Sequence, residues 1–375
     1  MNNINKLKVL YHGTMVGTLA KLDRNLTAFE YDKQWLSEGF SISPFSLPLE
    51  KKVFEAKIEP FGGIFGVFAD SLPDGWGRIL MDRVLAKNKI APNEVGVLDR
   101  LAIVGNSGMG VLSYEPEYTL HVNDEMMDLD AIAKECSKIL QSEKSDKLDE
   151  LFRMGGSSGG ARPKIFTKID GEDWIIKFPS TYDKDNIGEI EYHYSLCAKK
   201  CGIEMAETRL FQSEICSGYF GTKRFDRELV NGKIEKKHMI SVSGLLETSH
   251  RLPNLDYNTL MTLTLELTKK YCEVEKMFRL MCFNVFAHNR DDHSKNFTFL
   301  YGEGEGWKLS PAYDLTYSSS IGGEHATMVN GNGFNPGVTE ILEVAKKIGI
   351  NHKKAKDIVD QVKSTIDEYR LLERI

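Results

Sequence analysis

Apolar positions recur along the chain at two spacings, one typical of strands and the other typical of helices. From residue 7 to residue 19 the pattern predicts a strand, a turn at His12-Gly13 and a second strand, so the chain begins with a small β-rich region. Helical spacing recurs over residues 66–87 (after the start signals Ser71 and Pro73), 126–140, 146–154, 187–200, 260–285, 338–348 and 353–372. Residues 260–285 are largely apolar and predict a buried helix of a second lobe.

Further strands are predicted between these helices. Two β-rich segments meet at Asp170-Gly171, a strong hairpin signal, and strands follow at residues 208–211 and 219–225. A chain of 375 residues exceeds the usual size of one hydrophobic core. With a polar boundary near residues 115–124, we predict an N-terminal subdomain at residues 1–120, a lobe with a Gly-rich loop at 121–225, and a mostly helical lobe at 226–375.

Composition narrows the class of protein. A formal net charge of −6 argues against binding a nucleic-acid backbone unaided, because neutralising phosphates requires clustered Lys and Arg. The first ten residues, MNNINKLKVL, lack the apolar core of a signal peptide, and no stretch approaches the ~18 apolar residues that span a bilayer, so we expect a cytoplasmic protein without membrane contact. The six cysteines form no CxxC pair and predict buried free thiols rather than zinc ligands.

The sextet DDHSKN at residues 291–296 has the Asp-x-x-x-x-Asn spacing of the protein-kinase catalytic loop. A β-like run from residue 297, a GEGEG turn and a second run from Trp307 predict a hairpin that returns Asp314 beside Asn296. Asp291 would then act on an acceptor hydroxyl, and the oxygens of Asn296 and Asp314 would suit Mg²⁺. The alternative is a turn in which these side chains cap backbone groups.

The loop GGSSGG at residues 155–160 is built of small residues, so its main-chain N–H groups could approach a phosphate closely. It is not a Walker A loop, because Ala161 stands where that motif requires Lys. Gly156-x-Ser158-x-Gly160 matches a serine-hydrolase elbow, but an elbow opens a helix and the residues after Pro163 favour a strand. A flexible linker is the third interpretation.

Lys177 lies at the end of an apolar strand, and Glu191 lies on the helix that follows. A strand lysine that binds phosphate oxygens, held by a helical glutamate, is a kinase arrangement. A solvated lysine on a sheet edge is the alternative. The order of the parts also matches a kinase: Gly-rich loop, Lys, helical Glu, then Asp-x-x-x-x-Asn and a last Asp.

These motifs resemble the HipA family, the serine/threonine kinase toxins of type II toxin–antitoxin systems. The similar segments are VGTLA, FEYDKQWL, GFSISPFSLPL and FGVFADSLPDGWGRILMDR near the start, and GGSSGGARPK, WIIKFP, KRFDR, HRLP, DDHSKN and SPAYDL further on. The resemblance implies an α/β (α+β) fold, that is, a protein-kinase-like two-lobed fold with a small β-rich N-terminal subdomain. It also implies ATP and Mg²⁺ as cofactors.

By this resemblance Asp291 is the catalytic aspartate, and Asn296 and Asp314 are the magnesium ligands. The implied ATP-binding residues are Gly156, Ser157, Ser158, Gly159, Gly160, Lys164, Lys177, Lys223, Phe225 and His293. Counting back from Lys164 matches Ser157 to the serine that family members autophosphorylate, while the adjacent Ser158 stays open. Lys223 stands where some members carry Glu, which we interpret as tuning, because main-chain groups usually hold adenine near Phe225.

The prediction is an ATP- and Mg²⁺-dependent protein serine/threonine kinase that acts as the toxin of a toxin–antitoxin pair. The resemblance implies autophosphorylation in the Gly-rich loop, a translation-related target such as an aminoacyl-tRNA synthetase, and growth arrest. It also implies a HipB-like DNA-binding antitoxin, through which an acidic chain would reach DNA only indirectly. The competing interpretations are a non-catalytic regulator that binds nucleotide or antitoxin, and a serine hydrolase that uses Ser158.

Overall fold

The computed structural model of the protein describes residues 4–23, 26–118, 128–230, 232–320 and 322–375. Its strands are β1 Lys6–Tyr11, β2 Thr14–Lys21, β3 Thr27–Tyr31, β4 Val53–Glu55, β5 Leu112–Glu115, β6 Lys164–Ile169, β7 Glu172–Lys177, β8 Thr208–Phe211, β9 Tyr219–Lys223, β10 Arg227–Val230, β11 Lys233–Lys236, β12 His238–Ser241, β13 Leu255–Asp256, β14 Thr298–Gly302, β15 Gly306–Leu309 and β16 Thr327–Met328. Its α-helices are α1 Lys33–Glu38, α2 Gly66–Ala69, α3 Gly75–Lys87, α4 Val97–Val104, α5 Leu129–Leu140, α6 Leu148–Gly155, α7 Ile187–Lys200, α8 Val242–Leu246, α9 Tyr257–Thr268, α10 Tyr271–Phe286, α11 Val338–Ile348 and α12 His352–Tyr369.

The first sheet is antiparallel and has the strand order β4-β3-β2-β1-β5. β1 and β2 form the hairpin predicted for residues 7–19, and its turn residues His12 and Gly13 have φ of 48° and 80°. Leu7 and Val9 are buried, while the lysines that alternate with them face solvent. The β-rich start predicted from the sequence is therefore confirmed.

A second antiparallel sheet, ordered β6-β7-β9-β8, packs against α7. The β6–β7 turn falls at Asp170-Gly171 as predicted, with φ of 54° and 81°, the left-handed pair that suits a two-residue hairpin. Helix α7 occupies the predicted residues and ends just before Gly202, whose φ of 76° is typical of a helix C-terminus.

Part of the predicted boundary near residues 115–124, and residues 126 and 127 of the helix predicted for 126–140, lie outside the described residues. Within the described part, α5 begins at Leu129, and the Asp128 carboxylate caps it by accepting a hydrogen bond from Ala131 N at 2.8 Å.

The helix predicted for residues 260–285 is wrong as a single element, because α9 ends at Thr268 and α10 begins at Tyr271. Between them Lys269 is left-handed, with φ of 54°, and Thr268 Oγ1 accepts a hydrogen bond from Lys270 N at 3.2 Å. Both helices bury apolar side chains in the same core, so the apolar run continues across the break and hides it.

Helix α3 joins the N-terminal part of the chain to the second sheet. Its residues Trp76, Leu80 and Val84 share one buried cluster with Ile165 of β6 and Ile176 of β7. The N-terminal sheet shares its own core with α9 and α10. The residues predicted as an N-terminal subdomain are therefore packed into both of the other parts of the molecule.

Among the described residues, none of the helices combines the length and the apolar character needed to cross a membrane. Buried free thiols are confirmed at Cys136, Cys197, Cys201 and Cys282. Cys216 is partly buried, and Cys272, in the first turn of α10, is exposed.

Candidate functional site

The hairpin β14–β15, predicted from the GEGEG turn, brings the segment that follows it back to the catalytic-loop motif at residues 291–296. It returns the chain so that the Tyr313 hydroxyl donates to the Lys295 carbonyl oxygen at 2.5 Å and lies 2.6 Å from Thr298 Oγ1. Asp314 follows directly, in a left-handed conformation with φ of 53°. The segment that carries Asp314 is thus fixed against residues 291–296.

Lys177, at the end of β7, lies between two carboxylates. Its ammonium donates to Glu191 Oε1 on α7 at 2.5 Å and also contacts Asp314 Oδ1. Burial alone would lower the pKa of Lys177, but Asp314 and Glu191 outweigh it and raise the pKa above its ordinary value. The Lys177 side chain is only 11% exposed, so the alternative of a solvated edge lysine is wrong.

Asp314 is the acid most strongly affected by this arrangement. Burial acts to raise its pKa, but the nearby ammonium groups of Lys177 and Lys164 hold the pKa far below its usual value. Asp314 therefore carries a negative charge at neutral pH, as a metal-binding carboxylate must.

Asp291 is the accessible acid of the site, with a side chain that is 66% exposed. Its main-chain carbonyl accepts a hydrogen bond from Asn296 Nδ2 at 2.7 Å, and its Oδ1 lies 3.9 Å from His293 Nε2. Desolvation in the cleft raises the pKa of Asp291, the charge of Asp314 raises it further, and His293 opposes the shift. A carboxylate with a raised pKa is better suited to accept a proton.

Asp292, the next residue of the catalytic-loop motif, is fully buried. Its Oδ2 accepts from the Tyr257 hydroxyl at 2.8 Å and lies 3.1 Å from His325 Nδ1, and its Oδ1 accepts from Thr327 N at 3.1 Å. The two adjacent aspartates thus differ in environment: Asp292 anchors the loop, and Asp291 is presented to the cleft.

The Gly-rich loop is held by specific contacts and is not a free linker. It runs from the end of α6 to the start of β6, the reverse of the strand-to-helix order of a hydrolase elbow. Ser157 is partly buried and donates to Ser107 O at 3.0 Å, whereas Ser158 is fully buried and donates to Gly155 O at 2.6 Å. The buried Ser158 hydroxyl argues against a hydrolase nucleophile.

Two cations flank the C-terminal end of this loop. Lys164 Nζ donates to Gly159 O at 2.5 Å, and burial lowers the pKa of Lys164. Arg162 makes two hydrogen bonds to Asp183, at 3.0 and 3.1 Å, and lies 3.7 Å from Glu191. Arg162 escaped the sequence analysis, because an arginine beside a proline in a loop carries no signal of its partners.

The remaining predicted nucleotide residues differ in placement. The ring of Phe225 lies 5.4 Å from the ring of Tyr313, so it borders the cleft next to Asp314. Lys223, by contrast, directs its ammonium to Glu172 on the neighbouring strand β7. The His293 side chain lies beside Asp291, as described above.

Asp74 and Lys295 belong to the site although neither was predicted. The Asp74 carboxylate accepts hydrogen bonds from Gly160 N and from the Lys295 ammonium. Lys295 lies inside the DDHSKN motif, so its position could have been suspected from the sequence. Asp74 could not, because it is 221 residues from Lys295 in the chain.

The residues present fit a magnesium nucleotide. Asp314 and Asn296 offer the carboxylate and amide oxygens that Mg²⁺ prefers. Gly160 has φ of 81°, a left-handed conformation that favours glycine, and a Cβ there would lie 2.6 Å from Lys164 Nζ, so the loop and this lysine lie close together. The donor set and the cradle therefore suit a charged phosphate chain with its metal.

A small antiparallel sheet whose lysine binds a helical glutamate, placed over a helical part with Asp-x-x-x-x-Asn and a later Asp, defines a protein-kinase-like fold. A family model described as HipA N-terminal domain matches residues 7–115, and one described as HipA-like C-terminal domain matches residues 156–369. The chain therefore belongs to the HipA family.

Two relatives have similar sequences. The chain is 22% identical to a Sinorhizobium fredii protein named as a kinase, Y4dM, over 99% of this chain and 91% of the relative. It is 21% identical to the serine/threonine-protein kinase toxin HipA of Shewanella oneidensis, over 77% of this chain and 69% of the relative.

Among solved structures, the chain is similar to a Shewanella oneidensis MR-1 toxin–antitoxin complex of HipA, HipB and operator DNA. The TM-score is 0.73 at 16% sequence identity, over 98% of this chain and 91% of the other. This likeness confirms the predicted fold: kinase-like and two-lobed, with a small β-rich N-terminal subdomain.

Proposed function

We propose that this protein is an ATP- and Mg²⁺-dependent protein serine/threonine kinase that acts as the toxin of a toxin–antitoxin pair in the cytoplasm. The observation that carries the proposal is the contact of the Lys177 ammonium with both Glu191 and Asp314. The charge of Asp314 also acts to raise the pKa of Asp291. Phosphoryl transfer in kinases depends on this combination of parts. Membership of the HipA family and the kinase names of its relatives support it.

The cleft provides a residue for each part of the nucleotide. Lys177 and Lys164 would bind phosphate oxygens, since both ammonium groups act on Asp314 from inside the cleft. Main-chain N–H groups of Ser157 and Gly159 would cradle the phosphates, because those of Gly156, Ser158 and Gly160 already donate within the protein. Phe225 would border the adenine. Lys223 would contribute only if its ammonium left Glu172.

When bound, ATP supplies the phosphoryl group and Mg²⁺ offsets its charge. Asn296 and Asp314 would hold the metal. Asp291 would orient the acceptor hydroxyl and accept its proton, and His293, 3.9 Å away, would steady the carboxylate. Asp292 fixes the loop beneath them through the hydrogen bonds to Tyr257 and Thr327.

Two acceptors are proposed. Ser157 in the Gly-rich loop would be the site of autophosphorylation, because its hydroxyl is less buried than that of Ser158. The other acceptor would be a translation-related protein such as an aminoacyl-tRNA synthetase, an expectation that comes from the family resemblance.

A HipB-like DNA-binding antitoxin is the proposed partner. The related Shewanella oneidensis structure contains HipA, HipB and operator DNA together. This chain carries a net charge of −6, so contact with DNA would pass through the antitoxin rather than through a basic surface of its own.

The proposal is tested by incubating the purified chain with γ-labelled ATP and Mg²⁺ and following label on the protein. We expect label on Ser157, located by mass spectrometry, and no reaction with a fluorophosphonate probe. ATP binding without any label transfer, onto itself or an added protein substrate, would indicate a non-catalytic regulator. Fluorophosphonate labelling of Ser158 would indicate a hydrolase.

A further inference from the structure

Asp74 lies where the N-terminal part of the chain meets both the Gly-rich loop and the catalytic-loop motif. It is the residue before helix α3, in the N-terminal part of the chain. One carboxylate oxygen accepts from the main-chain N–H of Gly160 in the Gly-rich loop, and the other accepts from the ammonium of Lys295 in the catalytic-loop motif. The side chains of Asp74 and Lys295 are only 21% and 22% exposed, so the ion pair is largely shielded from water.

The first residues of α3 also contact the loop directly. Trp76 N donates to Gly160 O at 2.9 Å, and the Trp76 indole donates to Lys164 O at 3.1 Å. A Cβ on Gly75 would lie 2.2 Å from Gly160 O, and a Cβ on Gly77 would lie 2.2 Å from Ser158 O. Only glycines at these positions allow the loop to approach the helix so closely.

We propose that Asp74 is a positioning residue of the nucleotide site, which fixes the Gly-rich loop relative to Lys295 before nucleotide binds. The inference rests on the proposed kinase function and adds to it a residue supplied by the N-terminal subdomain. In this arrangement the residue that precedes α3 adds one contact to the Gly-rich loop and one to the catalytic-loop motif, and so joins the two.

The physical reason lies in the entropy of a glycine-rich loop. Glycine loses more backbone freedom on ordering than any other residue, so the loop needs fixed partners to stay in one position. A carboxylate that accepts from an N–H and from an ammonium makes two charge-assisted hydrogen bonds, which are stronger than neutral ones. Burial acts to raise the pKa of Asp74, but Lys295 and Gly160 outweigh it and hold the pKa below its usual value, so Asp74 stays charged.

The test compares Asp74→Ala with Asp74→Asn. The alanine variant loses both bonds, and we expect faster amide exchange over residues 156–160 in the nucleotide-free protein. The asparagine variant keeps an oxygen that can accept from Gly160 N but loses the charge facing Lys295, so its exchange should lie between wild type and alanine. Unchanged exchange in the alanine variant overturns the inference.

Nucleotide binding gives the second measurement. We expect the Kd and KM for ATP of Asp74→Ala to rise about tenfold, the scale of one charge-assisted hydrogen bond. The kcat at saturating ATP should change by less than about threefold, because bound ATP restores the loop position. Partial recovery of KM in Asp74→Asn supports positioning, since a general loss of folding would not follow the hydrogen-bond acceptor.

Asp82→Ala is the matched control. Asp82 lies on the same helix, but its partners are Arg78, at 2.9 Å, and Arg100, at 2.8 Å, both in the N-terminal part of the chain. This variant should leave loop exchange and ATP affinity as in wild type. An equal rise in loop exchange in Asp82→Ala would overturn the inference, because any damage to α3 would then suffice.

The two proposals fail separately. If wild type does not bind ATP, the kinase function fails, while the exchange comparison still decides whether Asp74 holds the loop. If wild type transfers phosphate and Asp74→Ala binds ATP as tightly or more tightly, the kinase function stands and the positioning role is wrong.

Discussion

Lys177 and Asp314 are 137 residues apart in the chain, yet the ammonium of one contacts the carboxylate of the other. Glu191 accepts from the same ammonium at 2.5 Å. In this structure one cation therefore neutralises both the helical glutamate and the proposed metal ligand. The contact has consequences for metal binding and for stability.

Lys177 competes with a divalent cation for Asp314. We therefore expect the Lys177→Met variant, in the absence of nucleotide, to bind Mn²⁺ about tenfold more tightly than wild type does. Mn²⁺ is a spectroscopic substitute for Mg²⁺, and without the Lys177 ammonium there is less repulsion of a metal ion at Asp314. Electron paramagnetic resonance of free Mn²⁺ gives the affinity. Equal or weaker Mn²⁺ binding by the variant would show that Lys177 does not compete with a metal ion for Asp314.

The same substitution should lower the free energy of unfolding. Glu191 is only 3% exposed and would lose its closest cation. We expect a loss of about 2 kcal/mol, at the low side for a broken buried pair, because Asp314 is 39% exposed and Arg162 still lies 3.7 Å from Glu191. Urea unfolding measures it.

Lys168→Met is the control for both experiments. Lys168 is exposed on strand β6, adjacent to β7, so it shares the sheet but not the cleft. Its replacement should change the free energy of unfolding by less than about 0.5 kcal/mol. A Lys177→Met variant no less stable than Lys168→Met would contradict the stabilising role of the pair.

Stability should fall as the solution is acidified from neutral pH, because of His238. This fully buried side chain donates from Nε2 to Ile42 O at 2.8 Å and packs between Phe40 and Trp307, and its Nδ1 lacks a hydrogen-bond partner among the described atoms. Burial lowers the pKa of His238 from 6.5 to about 4.

The unfolded chain therefore binds a proton at His238 more readily than the folded chain does between pH 6.5 and 4. The contribution of His238 to the free energy of unfolding is complete above pH 6.5. It is lost as pH falls through this window, by about 3 kcal/mol in total. Urea unfolding at several pH values measures the slope. His238→Gln should reduce the slope, and the remainder would include His250, whose pKa burial also lowers to about 4. An unchanged slope in His238→Gln would contradict the assignment.

Phosphorylation of Ser157 should weaken ATP binding. The Ser157 hydroxyl donates to Ser107 O at 3.0 Å, a bond that a phosphate cannot make in the same way, and the phosphate adds roughly −1.5 to −2 charge where ATP phosphates would bind. We expect the Gly-rich loop to lose its contact with Ser107 and to move away, and the affinity for ATP to fall more than about tenfold. The measurement is titration of phosphorylated and unphosphorylated protein with a fluorescent ATP analogue.

Ser157→Ala and Ser158→Ala separate the two serines. The first should abolish the modification, and the second should leave it in place if the buried Ser158 only supports the loop through Gly155 O. Phosphate on either serine together with full ATP affinity would contradict expulsion of the loop.

Local patterns in the sequence predicted local structure well and long-range contacts poorly. The turn at Asp170-Gly171 and the limits of α7 follow from turn chemistry and helix periodicity over a few residues. The break at Lys269 was hidden, because both flanking helices are apolar. The order of the kinase motifs indicated Lys177, Glu191 and Asp314 as a group, and the structure places them in contact.

Asp74 and Arg162 were beyond reach of the sequence, since each acquires its role only from partners that the fold brings near. Gly75 and Gly77 are the places where the Gly-rich loop approaches α3. Such close approach cannot be seen in a single sequence.

The most direct test of the account is phosphate transfer by Asp291→Asn. The Asp291 side chain is 66% exposed, and its loop is fixed by the buried Asp292, so this substitution should leave the fold and the affinity for ATP near wild type. We predict that transfer from γ-labelled ATP falls by at least about a hundredfold, the scale of a lost general base. Transfer at the wild-type rate by a folded, ATP-binding Asp291→Asn protein would contradict the account.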